Sequence, residues 1–138
     1  MSDFSISVRV YYEDTDRGGV VYHSNYLNFM ERARTELLRS YGIEQDDLLE
    51  QDGIIFAVHN VEVDFLKPAR FNDLLQVTAE VIDNSRASIS FLQQVSCDNE
   101  VMCSGQVKIV CLNAASFKPV PVPGHLLTSI LTETTRVH

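Results

Sequence analysis

The hydrophobic pattern of the first 42 residues changes period once. Apolar residues recur at every second position in residues 4–12, which is the period of a half-buried strand. In residues 24–41 the spacing becomes three and four, so one apolar stripe follows a helix face. The stripe consists of Tyr26, Phe29, Met30, Ala33, Leu37 and Tyr41. Ser24 or Asn25 is expected to cap this helix, and Gly42 suits the left-handed position after its end.

The rest of the chain returns to alternation in four consecutive segments. Apolar and polar residues alternate through residues 54–66, 74–83, 87–97 and 101–112. Alternation gives each strand one buried and one wetter face, as in antiparallel sheets. Asp98-Asn99 suits a tight hairpin turn between the last two segments. The element order therefore predicts an α+β fold, a five-stranded antiparallel sheet wrapped around one long helix.

The remaining segments predict short helices and no second domain. Residues 43–53 hold five acids, and a short solvated helix or turn is expected there, because the spacing lacks the alternating ligands of a calcium loop. Another short helix is expected after the prolines of residues 119–123. No repeat, low-complexity tract or linker interrupts the sequence, so residues 1–138 are predicted to form a single domain.

Composition restricts the function more than the fold. The chain has 11 lysines and arginines against 19 aspartates and glutamates, a net charge of -8. This argues against a general nucleic-acid binder, because neutralising phosphates needs a basic face. No apolar stretch reaches the roughly 20 residues of a membrane span, and the N-terminus does not resemble a signal peptide. Three cysteines without a CxxC pair favour free thiols and a cytoplasmic location.

The connection between the first strand and the long helix contains the richest set of chemical groups. It reads EDTDRGGVVYH over residues 13–23. Gly18-Gly19 allow a sharp turn and a close approach to a ligand. The following helix start offers unpaired N–H groups and a positive dipole end, which suit a developing oxyanion. A carboxylate before the turn can face a carbonyl carbon held there; the alternative is a glycine turn whose acids only cap the helix.

The run VRVYYEDTDRGGVVYHSNYLNFMERARTELL resembles the signature of hotdog-fold acyl-CoA thioesterases. The resemblance is strongest to the bacterial family associated with the Tol-Pal cell-envelope system, which is related to the 4-hydroxybenzoyl-CoA thioesterases. The pieces VDFLKPARFNDLL, VKIVCLN and KPVPVP resemble the same family, so the similarity covers residues 6–124. It implies a hotdog fold and a homodimer with active sites at its interface, often assembled into a tetramer.

The resemblance also implies roles for individual residues. Asp16, the second acid of the DTD triplet, matches the family's essential carboxylate and acts as nucleophile or as general base on water. His23 matches the histidine of the VYH motif, and its backbone N–H is expected to polarise the thioester carbonyl at the helix start. Gly19, Val20 and Tyr22 are expected to shape the acyl pocket.

Three further residues are candidates outside this core set. Arg86 lies in the turn before residues 87–97, where related thioesterases carry basic residues near the nucleotide of coenzyme A. Asp14 is expected to anchor the connection by accepting backbone N–H bonds. Glu31 is a candidate because some hotdog enzymes use a helix glutamate as their catalytic acid.

The expected function is hydrolysis of an acyl thioester of coenzyme A or of acyl carrier protein. No metal cluster or dinucleotide fingerprint is present in the sequence, so no cofactor or metal is expected, and water, Asp16 and backbone amides must suffice. Two alternatives stay open. One is a hotdog hydratase or dehydratase of acyl thioesters, which pairs a histidine with an acid at other spacings. The other is a non-catalytic scaffold that serves envelope assembly, against which the intact EDTD and VYH motifs argue.

Overall fold

One antiparallel sheet and one long helix make up most of the structure. The computed structural model describes the backbone of residues 4–137 and the side chains of residues 4–130. In chain order the elements are strand β1 (Ser5–Arg9), a 3₁₀ turn (Tyr12–Asp14), helix α1 (His23–Ser40), helix α2 (Gln45–Asp47) with a π-helical turn (Leu48–Asp52), strands β2 (Ile54–Phe65), β3 (Leu74–Thr78), β4 (Glu80–Asn84), β5 (Ser88–Cys97) and β6 (Glu100–Asn113), and helix α3 (Gly124–Val137).

The sheet has strand order β1-β3-β5-β6-β2, and β4 also pairs with β5. All pairings are antiparallel, so the predicted α+β architecture is confirmed. The β5–β6 hairpin turns at Asp98 and Asn99, whose φ angles of 51° and 67° suit a tight two-residue turn, as the sequence predicts. β1 and β2 form the two edges of the sheet.

The predicted number of five strands is wrong: the described residues form six, because the segment predicted over residues 74–83 divides at Ala79. The pairing register with β5 is the same on both sides of the division. At the division, hydrogen bonds that involve side chains replace part of the backbone hydrogen bonding between strands. Gln93 Nε2 donates to Thr78 O over 3.2 Å, and Gln94 N donates to Thr78 Oγ1 over 3.0 Å.

Helix α1 packs mainly on β1, β3 and β5. Its predicted apolar stripe is buried except for the partly buried Tyr41, and Gly42 follows with φ of 84°, as predicted. The predicted cap is wrong. Tyr22 occupies the N-cap position without a side-chain bond to the helix, and Asn25 instead reaches back to Asp14. The first turn of α1 therefore keeps N–H groups that no side chain caps.

A buried polar network joins α1 to the middle of the sheet. Gln93 is fully buried; its Oε1 accepts from Arg34 Nη1 over 3.0 Å, and its Nε2 donates to Met30 O over 2.9 Å. Burying an amide is costly unless its polar atoms are bonded. These bonds therefore favour one position of the helix over the sheet.

Strand β2 approaches β6 closely at Gly105. A Cβ atom at that position would lie 2.7 Å from Glu62 O and 2.8 Å from Val63 Cγ2. Heavy-atom separations this short are repulsive, so only glycine permits this spacing of the two strands.

A buried carboxylate holds the connection between β1 and α1. Asp14 is 7% exposed; its Oδ2 accepts from Tyr11 N over 2.9 Å and its Oδ1 from Asn25 Nδ2 over 2.8 Å. Its backbone oxygen accepts from Tyr22 N over 3.1 Å. The expectation that Asp14 anchors this connection is confirmed.

The close approach of β2 and β6 predicts that Gly105→Ala lowers the free energy of unfolding by about 1–3 kcal/mol, because the backbone oxygen of Glu62 cannot rotate away. Gly124→Ala is the matched control, since a Cβ atom there meets nothing within 4 Å, and it should change stability by less than about 0.5 kcal/mol. Urea denaturation measures both variants. Equal stability of the two would contradict the close approach.

The anchoring role of Asp14 predicts that Asp14→Ala costs about 1–3 kcal/mol of stability, because two donors lose their buried acceptor. Asp16→Asn serves as the control, since an asparagine oxygen can still accept from Gly18 N. Thermal melts followed by circular dichroism compare the two. An Asp14→Ala melt identical to that of the unsubstituted chain would refute the anchor.

Candidate active site

Asp16 lies in a tight turn that leaves one carboxylate oxygen available. Its Oδ1 accepts from Gly18 N over 2.8 Å, and Val20 N approaches the same atom at 3.4 Å. Gly19, with φ of 78°, provides the left-handed residue of the turn. None of the residues that the structure describes donates a hydrogen bond to Oδ2. The turn therefore orients the side chain and leaves Oδ2 open to a reactant.

The start of α1 lies beside this turn. Thr15 and Val21 form an antiparallel bridge, and Asp16 N donates to Val20 O over 2.9 Å. The segments before and after the glycine turn therefore lie side by side. His23 is the first residue of α1, and its N–H lacks an intrahelical partner. In the described part of the chain no group accepts from that N–H. The structure thus brings the predicted carboxylate and the predicted helix-start amide to the same end of α1.

An apolar pocket opens next to the His23 side chain. The imidazole stacks on the Phe65 ring, with centroids 4.2 Å apart and planes inclined by 13°. The pocket measures about 180 Å³ and is lined by Val20, Val21, His23, Tyr26 and the segment Phe65–Pro68. Of the residues that the sequence places at the acyl pocket, Val20 lines it, whereas Gly19 and Tyr22 do not. The Tyr22 side chain is 47% exposed at the helix N-cap.

Tyr26 fixes the wall of this pocket. Its hydroxyl accepts from Ala69 N over 2.8 Å, and Ala69 O accepts from Val21 N over 2.9 Å. Burial raises the pKa of Tyr26, so its phenol stays neutral at physiological pH. Tyr26 therefore connects the helix, the connection and the segment after β2 without carrying charge.

The cysteine thiols are poor competitors for the role of nucleophile. All three are free. Burial, together with the Asp64 carboxylate, raises the pKa of Cys103 to about 11. Burial also raises the pKa values of Cys97 and Cys111. Because the thiolate is the reactive form of cysteine, Asp16 is the better candidate for attack on a carbonyl.

Two sequence candidates lie away from the Asp16 turn. Arg86 precedes β5, and its backbone oxygen accepts from Val122 N over 2.8 Å. The Asp16 turn lies near the other end of β5, about 30 Å from Arg86 at 3.3 Å per residue. Glu31 stands roughly two helical turns beyond His23. A single chain therefore brings neither Arg86 nor Glu31 to Asp16.

The wall formed by Phe65–Pro68 is the part of the site that the sequence does not single out. The alternating pattern marks Phe65 as a core position of a strand, yet its side chain is 41% exposed. The available signal is the proline at residue 68, which follows the alternating segment and cannot donate to a neighbouring strand.

Within the described residues, no group of three or more histidine, cysteine or acidic side chains could hold a metal ion. The same part of the chain contains no helix both long and apolar enough to cross a bilayer.

Comparison with known proteins identifies the family. The model of the Thioesterase-like superfamily matches residues 10–130. The chain is 44% identical over 120 residues to the acyl-CoA thioesterase YbgC of Haemophilus influenzae, covering 87% of this chain and 88% of that protein. It is 40% identical over 121 residues to the acyl-CoA thioester hydrolase YbgC of Escherichia coli O6:H1, covering 87% and 90%.

A solved structure of a probable thioesterase from Bartonella henselae superimposes with a TM-score of 0.82 at 32% identity, covering 86% of this chain and 98% of that one. The fold, the motif that contains Asp16 and His23, and the family match agree. The chain is an enzyme of the thioester hydrolase class and belongs to the Thioesterase-like superfamily, whose members share the hotdog fold.

Proposed function

We propose that the chain hydrolyses acyl-CoA thioesters at the Asp16 turn, releasing a free acid and coenzyme A. The observation that carries this proposal is the free Oδ2 of Asp16 beside the uncapped start of α1. The curated relatives named as acyl-CoA thioesterases support coenzyme A as the leaving group. They also favour hydrolysis over the hydratase and scaffold alternatives.

The thioester carbonyl oxygen accepts a hydrogen bond from His23 N–H in this mechanism. As the carbonyl carbon is attacked, negative charge builds on that oxygen, and the N–H and the positive end of the helix dipole stabilise it. An amide fixed in the backbone needs no reorganisation during the reaction, which is why such donors are effective.

Asp16 Oδ2 starts the reaction by one of two routes. As nucleophile it bonds to the carbonyl carbon, the carbon–sulfur bond breaks, coenzyme A leaves as thiolate, and water then cleaves the mixed anhydride. As general base it takes a proton from water while the water oxygen attacks the same carbon. The carbon–sulfur bond of the tetrahedral intermediate then breaks, and the leaving coenzyme A thiolate takes up that proton. Both routes need the oxygen that the Gly18 N–H leaves free.

A second copy of the chain completes the site. β2 is a 12-residue edge strand, and Val58, Val61 and Phe65 on its helix-facing side are 51%, 38% and 41% exposed. A long edge with exposed apolar side chains favours pairing with another strand. Two β2 strands joined antiparallel form a two-fold dimer.

Antiparallel pairing of β2 also gives Arg86 a function. It reverses the second sheet end for end, so the partner's Arg86 comes to the end that holds Asp16. There the guanidinium can bind a phosphate of coenzyme A. Lys67, at the same end as Asp16, is already paired with Glu100.

The role of Asp16 predicts that Asp16→Asn lowers kcat by about 10²–10⁴-fold, because an amide can neither attack nor take a proton. Thiol release from hexanoyl-CoA measures the rate. Glu13→Gln, a change of an exposed carboxylate in the same connection, is the matched control and should keep the unsubstituted rate. A rate for Asp16→Asn within a factor of about two of the control would overturn the assignment.

The shared site predicts complementation between two impaired variants. Arg86→Glu should raise KM by about tenfold or more, because a charge-assisted bond to phosphate becomes a repulsion. Heterodimers of Asp16→Asn and Arg86→Glu chains, isolated with two affinity tags, contain one site with both native residues. They should show about half of the unsubstituted activity at low substrate concentration.

If Arg86 acts within its own chain, no native site forms in the heterodimer. Its activity then stays at or below that of the Arg86→Glu homodimer, which would contradict the shared site.

A further inference from the structure

An open groove runs along α1 on the side of β2. The helix packs mainly on β1, β3 and β5, whereas Val58, Val61 and Phe65 on the helix-facing side of β2 remain exposed. One end of the groove is the pocket between His23 and Phe65. The other end is a pocket of about 200 Å³ between the middle of α1 and the first half of β2, where Phe56 and Val58 form one wall.

The middle of the groove is apolar. Leu27 on the helix is 37% exposed, and Val61 on the facing strand is 38% exposed. Leu27 follows the first turn of α1 on the same side as His23. An alkyl chain that starts at His23 N–H can therefore extend between the helix and β2 and bury its methylene groups there.

The far end of the groove is charged. Glu31 and Arg34 line the second pocket from α1. Arg34 is only 8% exposed, and Gln93 Oε1 is the acceptor of its hydrogen bond. Among the described residues no carboxylate lies within 4 Å of its guanidinium, which carries five N–H donors. Burial lowers the pKa of Arg34, and the nearby Glu31 carboxylate on the same helix opposes this.

We propose that Glu31 and Arg34 form a polar stop that limits the acyl group to about eight carbons, counted along α1 from His23. This inference rests on the proposed function, which places the thioester carbonyl at His23 N–H. A methyl end pressed against the stop displaces water from two charged groups and returns no hydrogen bond. A terminal hydroxyl instead accepts from Arg34 and donates to Glu31.

The length follows from the helix. Glu31 lies eight residues after His23, which is about 12 Å at 1.5 Å per residue. An extended chain advances roughly 1.3 Å per carbon for bonds of about 1.5 Å. Helix side chains lean toward the N-terminus, which shortens the available path by about one residue. The acyl chain therefore reaches the Glu31 and Arg34 side chains near its eighth carbon.

The first test uses the unsubstituted enzyme and saturated acyl-CoAs of four to sixteen carbons. We expect kcat/KM to rise with chain length to about eight carbons and to fall at least about tenfold by twelve. At the length of the stop, 8-hydroxyoctanoyl-CoA should exceed nonanoyl-CoA, which has the same number of chain atoms, by about tenfold, because the hydroxyl bonds to the charged groups. Equal rates for these two substrates of equal length would mean a steric limit and would overturn the polar stop.

The second test changes one charge. Glu31→Leu, at an exposed position, should raise the ratio of dodecanoyl-CoA to hexanoyl-CoA hydrolysis by about tenfold. It should also reduce the advantage of the ω-hydroxyl, which keeps only its bond from Arg34. Glu36→Leu is the matched control, because Glu36 lines a different pocket on the β1 side of α1. Its ratio should not change. An unchanged ratio in Glu31→Leu would contradict the proposal.

The outcomes distinguish a failure of the polar stop from a failure of the proposed function on which it rests. If the enzyme hydrolyses all chain lengths equally well, the polar stop fails while the proposed function stands. If it releases thiol from no acyl-CoA, both fail. Asp16→Asn should lose activity toward every chain length, whereas Glu31→Leu should change only their ranking.

Discussion

One helix is too narrow to cover the sheet it packs on. An α-helix is about 10 Å across, whereas strands lie about 4.8 Å apart, so α1 covers about half of the row from β1 to β2. It lies on β1, β3 and β5 and leaves Val58, Val61 and Phe65 on the helix-facing side of β2 exposed. The groove along β2, the pocket beside His23 and the proposed surface for a second chain all result from this mismatch.

Polar groups that have hydrogen-bond partners and polar groups that lack them have different roles in this structure. Asp14 and Gln93 are buried and saturated, and they hold the connection and the helix in place. Asp16 Oδ2 and His23 N–H have no partner in the described part of the chain. The saturated groups keep the free ones in a fixed geometry, which is the condition for electrostatic catalysis.

Much of the fold and the centre of the site could be predicted from the sequence. The change of period locates α1 and the strands, and the DTD and VYH motifs locate Asp16 and His23. The division at Ala79 could not be predicted, because it depends on bonds from a glutamine distant in sequence. The proposed role of Arg86 requires a second chain, and the pattern of one sequence does not show how two sheets would pair.

Other expectations concern the setting of the enzyme and stay predictions. They are the association with the Tol-Pal system, the cytoplasmic location, the tetramer and the use of acyl carrier protein. Each depends on molecules outside this chain.

The most direct test of the central claim is a crystal structure of Asp16→Asn bound to octanoyl-CoA. We expect the thioester carbonyl oxygen within about 3 Å of His23 N, residue 16 against the carbonyl carbon, and the acyl chain between α1 and β2. A thioester bound elsewhere, with no backbone N–H of the α1 start near its carbonyl oxygen, would contradict the claim.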